Sequence, residues 1–311
     1  MAKFILQRVA SMIPIVLAIS FIIFAIMSLT PGDPARMTLG EDASEEALEA
    51  FRAEHGLNRP MVLQYVDYLS GAVRGDFGNS YRTGLPVFRE IVSRFPNSLI
   101  LTFWGLLLSV LLGVPLGTLS AVKQYTPIDS FSLAFALLLT SIPTFWLGLM
   151  LALLFALKWG LLPATGVDTW KHFILPAVTL GASATANLTR MTRSTMLEVI
   201  RQDYIRTARA KGANERRVIM KHAMHNSILP IITVVGMNFG VLLGGTVVIE
   251  NVFAIPGLGN LLITSVRMKD IPMVTTSVMF SAIFIGVANL ITDIIYAFVD
   301  PRVRMQYAKE R

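Results

Sequence analysis

Asp203-Tyr-Ile-Arg-Thr-Ala-Arg-Ala-Lys-Gly212 is followed by Ala-Asn-Glu-Arg-Arg-Val-Ile-Met-Lys-His-Ala-Met-His-Asn226 and then by Ser-Ile-Leu-Pro230. This stretch is basic, helix-forming and set between two apolar runs. Gly212 interrupts it as a helix stop. Asn214 offers a new N-cap, with Glu215 well placed in the first turn that follows. The pattern predicts a helix, a sharp turn and a second helix. Such a rigid hairpin at the edge of a membrane is a docking part.

The apolar runs on either side set the class. The chain has 311 residues, 54% of them hydrophobic and only 15% charged. Its mean hydropathy is +0.61, far above that of an average soluble domain. Val9 to Leu29 is an uncharged run of about twenty residues, long enough to cross a bilayer. Comparable runs lie at Ser98–Val122, Phe131–Leu157, Phe173–Leu188, Ile228–Ile249 and Thr275–Val299, the last broken only by Asp293. The sequence therefore predicts an all-α membrane protein with six transmembrane helices. Six such runs leave too little polar sequence to coat a soluble core.

Charge sets the orientation. Residues 189–227 carry nine basic and three acidic side chains, a net +6. Residues 31–96 carry ten acids and seven bases, a net −3, and each terminus is basic. The positive-inside bias puts both termini and the 189–227 connection in the cytoplasm. That assignment accounts for the overall +7 charge, so nucleic acid is not an expected partner; the lipid bilayer is. Lys3 and Arg8 ahead of the first run make it a signal anchor, and no A-x-A-like cleavage site follows it. The chain has no cysteine, hence no disulfide.

The expected organisation is an N-terminal span at 1–30, an extracytoplasmic helical segment at 31–96, a five-helix core at 97–300 holding the cytoplasmic hairpin 203–226, and a cytoplasmic tail at 301–311. The 31–96 segment reads as two short amphipathic helices. Asp42 and Glu45 suggest a capping box for the first, which Gly56 stops. Pro60 suits the first turn of the second, with Met61, Leu63, Tyr65, Val66 and Leu69 as its apolar positions. This cap either covers the pore mouth, touches a partner, or is structural packing alone.

The hairpin closely resembles the signature loop of permease subunits of ATP-binding-cassette importers, in the variant of the dipeptide/oligopeptide/nickel branch. Further segments resemble the same family in the same order. They are Leu29-Thr-Pro-Gly-Asp-Pro34, Gly56-Leu-Asn-Arg-Pro60 with Gln64-Tyr65, and Gly75-Asp-Phe-Gly-Asn-Ser80 followed by Pro86-Val87. Leu162-Pro163 with Gly166, His172-Phe-Ile-Leu-Pro-Ala-Val-Thr-Leu-Gly181, Ile249-Glu-Asn-Val-Phe-Ala-Ile-Pro-Gly-Leu-Gly259 and Asp300-Pro-Arg302 continue the series. Ile255 departs from the family, where tryptophan often stands. Thr207-Ala208-Arg209 departs from the Glu-Ala-Ala of the wider superfamily but is normal in this branch.

The resemblance implies the type I importer permease fold and an inner-membrane location. It implies a second related permease subunit, two cytosolic ATPases and an extracytoplasmic solute-binding protein. Di- or oligopeptides are the expected solute, with glutathione or a nickel complex as alternatives. A secondary transporter or channel acting without ATPases is the rival reading, and a non-transporting scaffold a further one. No G-x-x-x-x-G-K-[ST] occurs, so ATP and Mg are expected in partner subunits, with no cofactor, metal or catalytic residue in this chain.

Three sets of residues are candidates for mechanism. Thr207, Ala208, Arg209, Ala210, Lys211, Gly212, Asn214, Glu215 and Arg216 form the ATPase-coupling set; the small residues permit close approach and the basic ones, with Arg217, can pair with acids of a partner. Without the resemblance, the same stretch also reads as a basic loop that only enforces topology or binds anionic lipid. Asp293 and Asn289, at i, i+4 on the last helix, and Asn238 and Asn187 are candidates for the solute pathway. Polar groups there are costly against lipid and belong in a bundle interior or wet cavity; a purely structural hydrogen bond is the competing reading. Thr102 is a weaker candidate. Gly236, Gly240 and Gly244, and Gly113 and Gly117 with Ala121, recur every fourth residue and suit close helix packing. His222 and His225 have ligand-like spacing, but nothing nearby completes a metal site. Pro115, Pro143 and Pro176 are expected to kink their helices.

Overall fold

The computed structural model describes residues 2–299, with side chains over 5–296. The expected tail at 301–311 and the Asp300-Pro-Arg302 motif lie outside the described residues. Among those described the fold is all-helical, with a single isolated bridge at Asn79 and Pro86. Four helices are long and apolar enough to cross a membrane, and five spans result if one sharply bent pair counts as one.

In chain order the helices are α1 (Ala2–Leu29), α2 (Pro34–Leu39), α3 (Glu45–Glu54), α4 (Met61–Val73), α5 (Val87–Val122), α6 (Pro127–Ser141), α7 (Thr144–Leu151), α8 (Ile174–Ile200), α9 (Asp203–Ala210), α10 (Glu215–Arg217), α11 (Met224–Val252), α12 (Leu258–Arg267) and α13 (Ile271–Val299). A π-helical segment, Ala152–Lys158, continues α7, and another, Val218–Ala223, joins α10 to α11. Two compact units divide this set. The described residues up to Ser98 with Pro256–Gly286 form one, and Leu99–Ile255 with the described residues from Val287 onward form the other.

The first unit is an aromatic cap on α1. Tyr65 of α4 packs edge-on to Phe21 and Phe24, and its hydroxyl meets Ser20 Oγ at 2.8 Å. Phe24, Met27, Ile271 and Val274 complete that core. Met61, Tyr65 and Leu69 turn towards the packing, whereas Leu63 and Val66 are exposed. The expected capping box at Asp42 does not form. Ser44 caps α3 instead, accepting from Ala47 N at 3.2 Å. Glu45 then occupies the first helical position, too early to reach back to the cap, and its carboxylate pairs with Arg36 and Arg52. Arg52 also holds Asp33 at 2.6 Å, tying α3 to the turn after α1. Pro60 stands one position earlier than expected, as the N-cap of α4. Gly56 stops α3 with φ +65°.

Two adjacent buried charges lock the other side of this unit. Lys269 adopts φ +54° after α12 and sends its ammonium to the carbonyls of Met27 and Thr30. A cation is favourable there because the C-terminal carbonyls of α1 lack helical partners. Asp270 is 1% exposed and accepts from Ser80 Oγ. Burial pushes its carboxyl above the ordinary value, while Ser80 and the backbone N–H groups of Tyr81, Met273 and Arg82 pull it back.

The second unit is built around α8, of whose 27 residues fifteen are buried. It packs against α6, α7 and α11. Three of its buried hydroxyls are satisfied within the helix: Thr179, Thr185 and Thr189 donate to the carbonyls four residues back at 2.7–2.8 Å. That internal pairing lets a polar helix sit in an apolar surround. α5 lies against α8 along Gly105, Gly113 and Gly117. A Cβ on Gly181 would meet Gly105 O at 2.6 Å, and one on Gly117 would meet Thr189 O at 2.5 Å. The second glycine series behaves unevenly. Gly236 abuts Thr292 of α13, Gly240 is half-buried, and Gly244 faces open space.

Pro143 breaks the α6–α7 pair, whose axes differ by 100°. Pro115 sits inside α5, but Pro176 falls in the first turn of α8 and starts that helix rather than kinking it. A first-turn N–H has no helical acceptor, so proline costs nothing there.

Gly181→Ala should lower the melting temperature of the purified protein, costing about 1–3 kcal/mol from overpacking against the α5 backbone. Gly244→Ala should leave it unchanged or slightly raised, since nothing lies within 4 Å of the new methyl. Thermal melts of the two variants side by side check this. Equal effects would contradict the asymmetry of the small-residue contacts.

Candidate functional site

The hairpin is constructed from local signals. α9 ends at Ala210, and Gly212 takes φ +80°. The N–H of Gly212 then reaches Arg209 O at 2.9 Å and that of Ala213 reaches Ala208 O at 3.2 Å. These two bonds close the last turn of α9 as a Schellman motif. Asn214 follows in extended conformation and caps α10, its Oδ1 accepting from Arg217 N at 2.8 Å. Arg209 grips Glu215 with both arms, at 2.7 and 3.1 Å, across the turn. Arg209 is thus engaged within the hairpin, where the sequence left it available to a partner.

The hairpin is anchored from below. Ile205, Val218 and Ala223 are fully buried against Met196 of α8 and Ala121 of α5. Tyr204, Arg206, Thr207, Ala210, Lys211, Gly212, Arg216 and Arg217 are exposed. A solvated loop would have neither the anchor nor the closed turn. The geometry is a closed, anchored helical turn with a small-residue, basic exposed face. His222 is half-buried and His225 exposed on the same segment.

A second feature lies within the same unit. A cavity of about 460 Å³ opens between α6, α7, α8 and α11. It is lined by Thr140, Thr144, Ser183, Asn187, Arg190 and Asn238 together with aliphatic side chains. Two of the four pathway candidates, Asn187 and Asn238, therefore meet in one place. The other two do not. Asn289 is exposed and Asp293 half-buried on α13, and neither lines this cavity. Thr102 is fully buried away from it. Reading the sequence missed Arg190, Ser183, Thr140 and Thr144. Arg190 was counted only as a topology charge, although its i, i+3 spacing from Asn187 puts both on one helix face.

Comparison with known proteins decides the family. The description "Binding-protein-dependent transport system inner membrane component" matches residues 113–305, and its N-terminal counterpart matches residues 1–102. The chain belongs to this family. It is a multi-pass inner-membrane permease subunit of a binding-protein-dependent ABC importer. It is 39% identical over 304 residues to the glutathione transport system permease protein GsiC of Escherichia coli K12, covering 98% of this chain and 99% of that one. The protein of the same name from Shigella boydii serotype 4 is 38% identical over the same length. Among solved structures, an inward-facing form of the MetNI methionine ABC transporter is similar with TM-score 0.60 at 19% identity, over 68% of this chain and 97% of that one. An amino acid ABC transporter with histidines gives 0.54 at 16% identity, over 67% and 93%. These two support the fold.

Gly212→Val should keep membrane insertion but reduce importer assembly or coupled ATP hydrolysis by about tenfold or more, because a β-branched residue resists φ +80°. Asn214→Ala should loosen the second helix by about 1 kcal/mol and give a milder version of the same defect. Solute-stimulated ATPase rates of the purified complexes check both. Wild-type coupling in fully assembled Gly212→Val importer would contradict a coupling role for this turn.

Proposed function

We propose that this permease imports a small peptide, with glutathione the first solute to assay, and that residues 203–226 transmit work from a cytosolic ATPase. The closed and anchored hairpin carries this reading. Its turn is fixed by backbone bonds, and its exposed face is small and basic. Thr207, Ala210, Lys211, Gly212 and Arg216 face the ATPase, while Arg209, Asn214 and Glu215 hold the turn and Ala208 backs it. The likeness to glutathione permeases over the full length supports the solute.

In this reading the chain crosses the membrane six times, through α1, α5, the bent α6–α7 pair, α8, α11 and α13. α8 is a span whose threonines lower its hydropathy without exposing them to lipid. The cap between α1 and α5 is extracytoplasmic, and both termini and the hairpin are cytoplasmic. A related permease subunit, two ATPases holding ATP and Mg, and a solute-binding protein complete the importer. ATP binding draws the ATPases and the paired hairpins together and opens the pathway outward. Hydrolysis resets it inward. Asn187 and Asn238 belong to the pathway wall.

Because the chain lacks cysteine, single cysteines report without background. Cysteine at Pro60 should react with an impermeant thiol reagent from the outside, and cysteine at Gly212 only after the inner face is opened. Labelling of both from one side would overturn the six-span topology. Glutathione uptake into vesicles should require the ATPases and the binding protein together. Uptake by this chain without ATPases would favour a secondary transporter.

A further inference from the structure

Two arginines one turn apart on α8 are treated in opposite ways. Arg193 is neutralised: its Nε and Nη2 donate to the two oxygens of Asp129 at 2.7 and 2.8 Å, and Ser120 Oγ and Tyr125 N complete that carboxylate. Arg190 has no such partner. Its one hydrogen bond among the described residues is to Thr140 Oγ1, at the long limit of 3.5 Å. It lines the polar cavity, and no carboxylate lines that cavity with it. Half-buried at the wall of a polar cavity, this guanidinium has its fork open to an incoming anion.

The neighbouring groups point the same way. Asn238 is 5% exposed, lines the cavity from α11, and its Nδ2 donor has no partner. Of the buried side-chain atoms without a partner among the described residues it is the one amide, the others being hydroxyls, and a buried amide donor calls for an acceptor. Asn187 stands one turn before Arg190 on the same face of α8. Thr140 and Thr144 flank the Pro143 break opposite. The lining thus offers a planar, forked cation and amide donors, and no fixed negative charge to compete. A carboxylate is the ligand that fits a guanidinium fork and amide donors together.

We propose that Arg190, Asn187 and Asn238 form a receptor for a carboxylate of the transported solute, so that the pathway itself, and not the binding protein alone, selects for an acidic group. This rests on the reading of the chain as the pathway subunit of an importer. Arg190 supplies charge and orientation, Asn238 a donor desolvated in advance, and Asn187 a donor at the open side.

The test uses the intact importer in lipid nanodiscs and follows modification of Arg190 by phenylglyoxal with peptide mass spectrometry. Acetate serves as a probe that does not depend on knowing the solute, and glutathione as the expected one. At about ten times its Kd either anion should slow labelling of Arg190 about tenfold, by simple occupancy. Glutathione diethyl ester, with both carboxylates capped, should give no protection. Asn238→Leu, in complexes assembled to wild-type yield, should weaken the protection, and Arg190→Lys should keep part of any acid-over-ester preference in stimulated ATP hydrolysis that Arg190→Gln loses. Absence of protection by both acetate and glutathione overturns the proposal. So does equal protection by acid and ester, or protection that depends on phosphatidylglycerol in place of phosphatidylcholine, which assigns the arginine to a lipid phosphate. Wild-type uptake that needs no ATPase overturns the importer reading instead, and the labelling result then stands on its own.

Discussion

A polar helix inside an apolar surround is the constraint on which the larger unit depends. α8 carries five buried threonines, Asn187 and two arginines along one axis. Lipid would not tolerate that inventory, since unsatisfied polar groups have no water to turn to. It is tolerated because α8 is enclosed. α5 comes close enough only because Gly105, Gly113 and Gly117 have no side chains to hold it away, and Gly181 meets Gly105 backbone to backbone. α6, α7 and α11 pack on its other sides, leaving the cavity wall at Ser183 and Asn187 open. Thr179, Thr185 and Thr189 then satisfy themselves against their own helix, and Arg193 finds the carboxylate of Asp129.

What was legible in the sequence was what short range determines. The hairpin's stop at Gly212 and its restart at Asn214 are local chemistry, and each residue takes the role its type suggests. The π-helical segment after Arg217 gave no such sign, because nothing in Val-Ile-Met-Lys-His-Ala marks one extra residue per turn. α3 and α4 were foreseen, but the cap of α3 moved from Asp42 to Ser44. Both residue types cap well, and with Ser44 as the cap Glu45 is left to pair with Arg36 and Arg52.

Long-range pairs were not legible. Lys269 and Asp270 look like an ordinary charged turn between two helices. Their roles depend on the carbonyls of Met27 and Thr30 and on the hydroxyl of Ser80, about 190 to 240 residues away in the chain. Asp129 and Arg193 are similar. The spacing of Asn187 and Arg190 was visible, yet charge counting assigned Arg190 to topology. Hydropathy also ranks α8 below its neighbours, although it is the most enclosed helix of the unit; threonine lowers an average without requiring water.

The segment Val218–Ala223 joins the hairpin to α11 as one winding path. A π-helical turn holds one more residue than an α-helical turn of the same span. Each residue of an α-helix advances about 100° around the axis. The surplus residue therefore acts as a phase setting: it fixes the bearing at which every side chain of α11 leaves the helix relative to the hairpin. Asn238 looks into the cavity, and Gly236 lies against Thr292, only at that bearing. Were the segment to rewind as plain α-helix, α11 would turn like a key by roughly a quarter of a revolution. The bearing of the cavity wall relative to the hairpin is thus set in rotation as well as along the axis, by the helix's own winding.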